Sequence, residues 1–387
     1  MRNFIKACAL AGSATACLAA VPAMAEEDFS IGENGLALSL GDDALAVELG
    51  GKVQLDGYTW DLGGIDDTSA DFRRVRPDLR VRIANIVRLR AEWEFSGTEG
   101  WRNLYAEVEP IDGVTLRGGN FSAPFSMEDL QGSAVIPFAE RSLVAAISPG
   151  FGLGGQAGYS GGRFTVRAGW FDDAIDSEEG RSEEHGKGWV GRATFLAIDR
   201  DETKLHLGLA GETRSFAVGE SLRYAATGGS NFAPALLTTN RLTDVSSLEA
   251  VNAELGLVHG SLALQGQYVR QWIDQRTLAD AALSAGYVQA SWMVTGESYR
   301  YARGGGTMSG PRIRDDMAVE LAARVSWLDA SDAVLGGQRA TLFDASAALH
   351  ITPWARIMAS GTTGRKTDAI GGRQNLTVGL ARLQLAF

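Results

Sequence analysis

Seven arginines stand out by their spacing. Arg74, Arg76, Arg80 and Arg82 share one face of any extended segment that carries them, and Arg88 and Arg90 share the matching face of the next. Arg117 follows further along. At a strand rise of about 3.3 Å per residue, Arg74 to Arg82 covers roughly 26 Å, most of the height of a membrane. A guanidinium is always charged and grips carboxylate or phosphate with two parallel hydrogen bonds. A column of them along a lumen would favour the passage of anions. The same column could instead brace a wall, because Asp78, Glu92, Glu94, Glu107 and Glu109 are predicted on the same faces. Both readings stay open from the sequence.

A second feature is the segment from Gly118 to Pro149. It is longer than most connections, which rarely exceed about 12–15 residues without a role. It is also unusually apolar for a solvated loop, with Phe121, Phe125, Met127, Ile136 and Phe138. A semi-apolar loop of this length is predicted to fold inward and narrow the lumen. Its ionisable residues Glu128, Asp129, Glu140 and Arg141 are the constriction candidates.

The elements that must position these groups alternate with period two. Val75, Leu79, Val81 and Ile83 interleave with the arginines of the first stripe. Val87, Leu89, Ala91 and Trp93 interleave with Arg88, Arg90, Glu92 and Glu94. Strands with one apolar and one polar face, separated by turn residues, are the pattern of a transmembrane β-barrel. Arginine facing lipid at mid-membrane would cost about 2–4 kcal/mol each, so the polar faces must look inward. We expect an all-β, antiparallel transmembrane barrel of about 16 strands, at 46–60, 72–84, 86–96, 102–110, 113–120, 152–160, 162–172, 186–197, 203–213, 248–258, 261–272, 284–295, 316–328, 340–351, 355–363 and 375–387. Short connections alternate with long polar ones at 61–71, 120–150, 173–185, 214–247, 273–283, 329–339 and 364–374, the asymmetry of bacterial barrels. Residues 296–315 break this rule as a long turn on the short-turn side, and no pattern in the sequence explains them.

The N-terminus carries Arg2 and Lys6, an apolar run from Ala7 to Val21, and Ala23-Met24-Ala25. This is the layout of a cleaved secretory signal at 1–25. Residues 26–45 then form a short periplasmic lead-in, and 46–387 the barrel domain. Cleavage would remove both cysteines, Cys8 and Cys17, which excludes disulfide and cysteine chemistry. Losing Arg2 and Lys6 leaves 34 basic against 47 acidic residues, or −13, which argues against nucleic acid as a partner. The mean hydropathy of −0.05 suits a barrel whose faces average out. Tyr58, Trp60, Trp93, Phe95, Trp170, Trp272, Trp327 and Trp354 sit near expected strand ends, as interfacial girdles would, and the last strand ends on Phe387. His185, His206, His259 and His350 have no metal spacing, and no catalytic pair or cofactor motif stands out.

Several stretches resemble the phosphate-selective porin O and P family. They are Leu49-Gly50-Gly51-Lys52-Val53-Gln54-Leu55-Asp56, Phe72-Arg73-Arg74-Val75-Arg76, and above all Gly119 to Leu143, with Asn120-Phe121, Pro124-Phe125-Ser126-Met127-Glu128 and Phe138 through Leu143. The resemblance implies an outer-membrane homotrimer of 16-stranded barrels with the third loop in the pore. It also implies a passive channel for small anions, with phosphate or polyphosphate preferred in some members through a lysine-rich constriction. Here the lysines of 26–387 are Lys52, Lys187, Lys204 and Lys366, none in the third loop. The alternatives are a general diffusion porin without phosphate selectivity and a structural barrel; a barrel enzyme lacks a recognisable Ser-His or Asp-His pair. Outer-membrane lipid and lipopolysaccharide are the expected surroundings.

Overall fold

The computed structural model describes residues 27–32, 35–40, 44–176, 183–184, 186–314 and 317–387. The expected signal segment 1–25 and His185 lie outside the described residues. Sixteen antiparallel strands close into a barrel. They are β1 (Leu45–Leu62), β2 (Ile65–Ile83), β3 (Val87–Glu94), β4 (Gly100–Ile111), β5 (Val114–Ser122), β6 (Phe151–Gly161), β7 (Phe164–Asp172) and β8 (Lys187–Asp199). The second half is β9 (Thr203–Ser215), β10 (Val245–His259), β11 (Leu262–Gln275), β12 (Ala281–Met293), β13 (Ala318–Ala330), β14 (Gln338–Thr352), β15 (Ala355–Thr367) and β16 (Arg373–Ala386). Each strand pairs with its sequence neighbour, and β16 pairs with β1 from Leu376↔Leu62 to Ala386↔Lys52. Phe387 extends the seam, its N–H donating to the Gly51 carbonyl at 2.9 Å. Closure leaves no open edge within the wall, which is what a lipid environment demands of a sheet.

Alternation decides which way each side chain points. Leu79, Leu207, Leu209, Val251, Leu255, Val288, Trp292 and Leu383 are exposed on the outside, while the polar partners between them are buried inside. That apolar surface suits lipid. A hairpin of Glu27–Gly32 with Gly35–Leu40 pairs along Leu45–Leu49 of β1, below the end of β16.

Three expectations need correction. Residues 61–71 are not a loop: β2 begins at Ile65, and β1 turns into it through Gly63 and Gly64, both at positive φ. Two such residues make the tight turn whose twist matches a hairpin. The sequence hid this because Ile65 to Asp71 is polar on both faces beyond the membrane. Second, Tyr58 and Trp60 are not girdle residues. They point inward, where Tyr58 stacks on Phe232 at 4.7 Å and Trp60 is buried. Third, the connection 216–244 between β9 and β10 is not a solvated loop. Tyr224, Leu236, Leu237 and Leu242 are buried in one apolar cluster with Leu342 and Leu376 of the wall. Gly229, at φ +68°, lies so close to the wall that a Cβ would meet the Thr362 hydroxyl at 2.4 Å.

The third loop, between β5 and β6, also folds inward. It starts with a short helix α1 (Met127–Leu130), capped by the Ser126 hydroxyl, which accepts from the Asp129 N–H. Phe121, Phe125, Leu143, Val144 and Ile147 join the same apolar cluster. The long turn 296–315 now has a physical account. Tyr299–Ala302 and Thr307–Pro311 pair as a hairpin that rises into the lumen. It meets the third loop where the Gln131 side chain donates to the Met308 carbonyl at 3.2 Å.

Candidate functional site

The third loop is fastened to the inner wall from β10 round to β2. The Met127 N–H donates to Glu254 on β10 at 2.9 Å, and the Glu128 N–H to Gln267 on β11 at 2.9 Å. Ser346 on β14 donates to the Pro137 carbonyl at 2.6 Å, Arg356 on β15 to Ile136 at 3.1 Å, and Gln384 on β16 to Ala134 at 3.0 Å. With the 216–244 loop and the inner hairpin, it fills the lumen along β8 to β16. The space left runs beside β1 to β7, where two cavities of about 490 and 160 Å³ lie.

Each of the four ionisable residues predicted in this loop is engaged. Glu128 accepts from the Ser142 hydroxyl at 2.6 Å and pairs with Arg324 at 3.2 Å. Arg141 pairs with Asp129 at 3.3 Å and donates to the Gln131 carbonyl at 2.9 Å, so it braces the loop against itself. Glu140 is the anchor. Arg73 holds it bidentately at 2.7 and 3.0 Å, Arg382 at 3.2 Å and Arg74 at 3.7 Å. Burial alone would raise its carboxyl, but Arg73, Arg74 and Arg382 outweigh that and hold it well below the usual carboxylate range.

Arg73 and Arg74 are neighbours in sequence and should face opposite ways. They do not, because pairing shifts from Gln54↔Arg74 to Leu55↔Phe72 and leaves Arg73 as the extra residue of a β-bulge. A bulge re-aims one side chain at the cost of one ladder step. Both guanidiniums therefore converge on the third loop. Simple alternation could not find Arg73. Nor did it single out Arg382, which grips Asp56 at 2.6 and 2.7 Å beneath the same loop.

The arginine stripe lies on the inner faces of β2, β3 and β5. Its side chains become more accessible toward the short-turn end: Arg74 is 2% exposed, Arg76 11%, Arg90 27%, Arg80 39% and Arg88 44%. Most of it is paired. Arg76 bonds Glu94, and Arg80 and Arg90 both hold Asp78, at 2.5 and 2.9 Å. Arg88 bridges Glu107 at 3.0 Å and Glu109 at 2.6 Å, and Arg117 takes Glu107 at 2.6 Å while lying over the Tyr105 ring. Lys52 meets Glu92 at 3.1 Å. Arg82 differs: it faces the smaller cavity beside Arg80, Arg88 and Arg90 with no carboxylate partner among the described residues. Along the stripe the bracing acids are Glu48, Asp78, Glu92, Glu94, Glu107 and Glu109, with Glu140 from the third loop. The wall is braced, and Arg82 is the stripe arginine that has no acid among the described residues. No group of three or more metal-binding side chains gathers among the described residues.

The inner hairpin is latched to the opposite wall. Arg192 on β8 pairs with Glu254 at 2.7 Å and donates to the Gly306 carbonyl at 2.7 Å. The Tyr301 hydroxyl meets His206 at 2.8 Å, and Tyr299 donates to Glu320 at 2.8 Å.

Solved outer-membrane proteins share this architecture. The chain superposes on the channel DcaP of Acinetobacter baumannii with a TM-score of 0.59 at 9% identity, covering 89% of this chain and 98% of that one. For an anion-selective porin from Comamonas acidovorans the values are 0.57, 14%, 89% and 100%. For the trimer form of OmpT from Vibrio cholerae they are 0.54, 14%, 88% and 100%. Identities this low speak for the fold. No curated protein sequence matches the chain. The sequence profile described as "phosphate-selective porin O and P" matches residues 47–347, most of the chain. The protein is thus a porin of the bacterial outer membrane, and it belongs to the phosphate-selective porin O and P family.

Proposed function

We propose that this porin is a passive channel for small anions, threaded between the third loop and the arginine-bearing wall of β1 to β5. The observation that carries the reading is Arg82, which faces the lumen with no acid among the described residues, beside accessible arginines grouped toward the short-turn end. In a narrow, low-dielectric passage a small surplus of fixed charge is felt strongly by permeant ions. The paired arginines brace the wall, and Arg82 sets the sign of selectivity. Phosphate and polyphosphate fit the bidentate grip of guanidinium. The third loop has no lysine, and its Arg141 is taken up by Asp129 and backbone carbonyls, which favours a general anion channel over a phosphate-specific one.

Three further elements complete the reading. Residues 1–25 act as the export signal, 26–45 as a periplasmic lead-in and 46–387 as the barrel. The chain assembles as a homotrimer, in keeping with the trimer form of OmpT. Its exposed apolar belt meets outer-membrane lipid, and its longer loops meet lipopolysaccharide. Planar-bilayer recordings test the anion reading: chloride current should fall as phosphate is added. Cation-selective current, indifferent to phosphate, would refute it.

A further inference from the structure

The larger cavity, of about 490 Å³, lies at the short-turn end, away from the third loop. Its charges are unequal in what they are free to do. Arg88 and Arg117 are held by Glu107 and Glu109, and Arg303 by Asp199 at 2.6 Å. Arg163, in the turn between β6 and β7, and Arg167, on β7, also line the cavity, and neither forms an ion pair among the described residues. Arg167 donates to the Gly304 carbonyl, at the tip of the inner hairpin. That tip roofs the cavity, with Thr165 donating to the Arg303 carbonyl at 3.1 Å.

We propose that this vestibule is a binding site for small solutes carrying two oxyanion groups, carboxylate or phosphate, and that it is loaded from the periplasmic side. The proposal rests on the anion-channel reading and adds a place, a ligand class and a direction to it. Arg163 directly precedes β7 and Arg167 lies on it, which puts their Cα atoms on the order of 13 Å apart, so each can take one end of a short dianion. Each guanidinium has five N–H donors, and Arg167 gives up one of them to a carbonyl. The cavity volume falls within the roughly 300–1,000 Å³ typical of small-molecule sites. The turn at Gly161 and Gly162 and the turn at Asp112 and Gly113 form its rim, so the approach is from the short-turn side. From the other side a solute must first pass the third loop and the inner hairpin, which narrow the passage.

The test is one-sided block in a planar bilayer. Orientation is read from an N85C variant, which places a thiol on a short turn for an impermeant reagent. Pyrophosphate and citrate are added to one side at a time. Two charge-assisted contacts predict about tenfold stronger block from the short-turn side and about a tenfold loss of it in the Arg163→Gln, Arg167→Gln double variant. The Arg163→Lys, Arg167→Lys variant should recover part of the block, and a wild-type circular dichroism spectrum in all variants shows that the barrel has folded. Block by pyrophosphate alone supports the site and narrows its ligand to phosphates. Equal potency from both sides, or wild-type block in the double glutamine variant, overturns the proposal. A cation-selective zero-current potential would defeat the anion-channel reading separately, since the block data still judge the site.

Discussion

Replacing Glu140 with glutamine should undock the third loop. The carboxylate faces three buried guanidiniums, Arg73, Arg74 and Arg382, at 2.7, 3.7 and 3.2 Å. Asp56 still compensates Arg382, but Arg73 and Arg74 lose the Glu140 carboxylate. Leaving buried charge without its partner costs about 3–5 kcal/mol. At about 1.4 kcal/mol per decade, the docked-to-undocked ratio of the loop falls by roughly two to three and a half orders of magnitude. Hydrogen exchange reads this directly as lost amide protection across residues 127–144, and single-channel conductance should rise with it. The double variant R73Q/E140Q should be milder than the two single effects added, because the charges that clash are removed together. The pH dependence follows from the same cluster. Glu140 is depressed below its ordinary value of 4.5, so its contribution is complete above that value and is lost only as pH falls through the lower folded value. The Glu140 contribution to loop protection should therefore be flat from about pH 8 down to about pH 5. Unchanged protection and conductance in E140Q would refute this account of the anchor.

Other perturbations separate bracing from selectivity. Arg82→Gln should lower the anion-to-cation permeability ratio more than Arg80→Gln, because Arg80 already shares Asp78 with Arg90 whereas Arg82 has no acid among the described residues; equal effects on the zero-current potential would contradict the distinction between bracing and free arginines. Arg192→Gln removes the cation of a fully buried pair with Glu254 and the donor to Gly306, so the inner hairpin should become protease-sensitive in reconstituted vesicles. Shortening 225–237 should raise conductance and lower the unfolding temperature, since Leu236 and Leu237 leave the apolar cluster they share with Leu342 and Leu376.

The barrel was readable because membrane burial forces strict alternation, and each expected strand overlaps an observed one. Alternation failed where that force is absent. Ile65 to Asp71 projects beyond the apolar belt, so nothing obliges it to alternate. The inward folding of the third loop was legible because its apolar residues, from Phe121 to Phe138, are dense. The 216–244 loop carries the same signal more thinly: Tyr224, Phe232, Leu236, Leu237 and Leu242 are separated by polar and glycine residues. The inner hairpin was visible only as an unexplained length at 296–315. For the arginines, type and face were readable, but partners were not. Which acid a guanidinium reaches depends on strand register and on the bulge at Arg73, and both are set by closure of the whole barrel.

The most direct test of the central claim is the zero-current potential of the purified porin across a potassium chloride gradient. An anion channel lets chloride run ahead of potassium, so the dilute side should become negative. The accessible arginines beside β1 to β5, with Arg82 unpaired among the described residues, predict that sign. A dilute side that becomes positive, or a reconstituted barrel that does not conduct, would contradict the account.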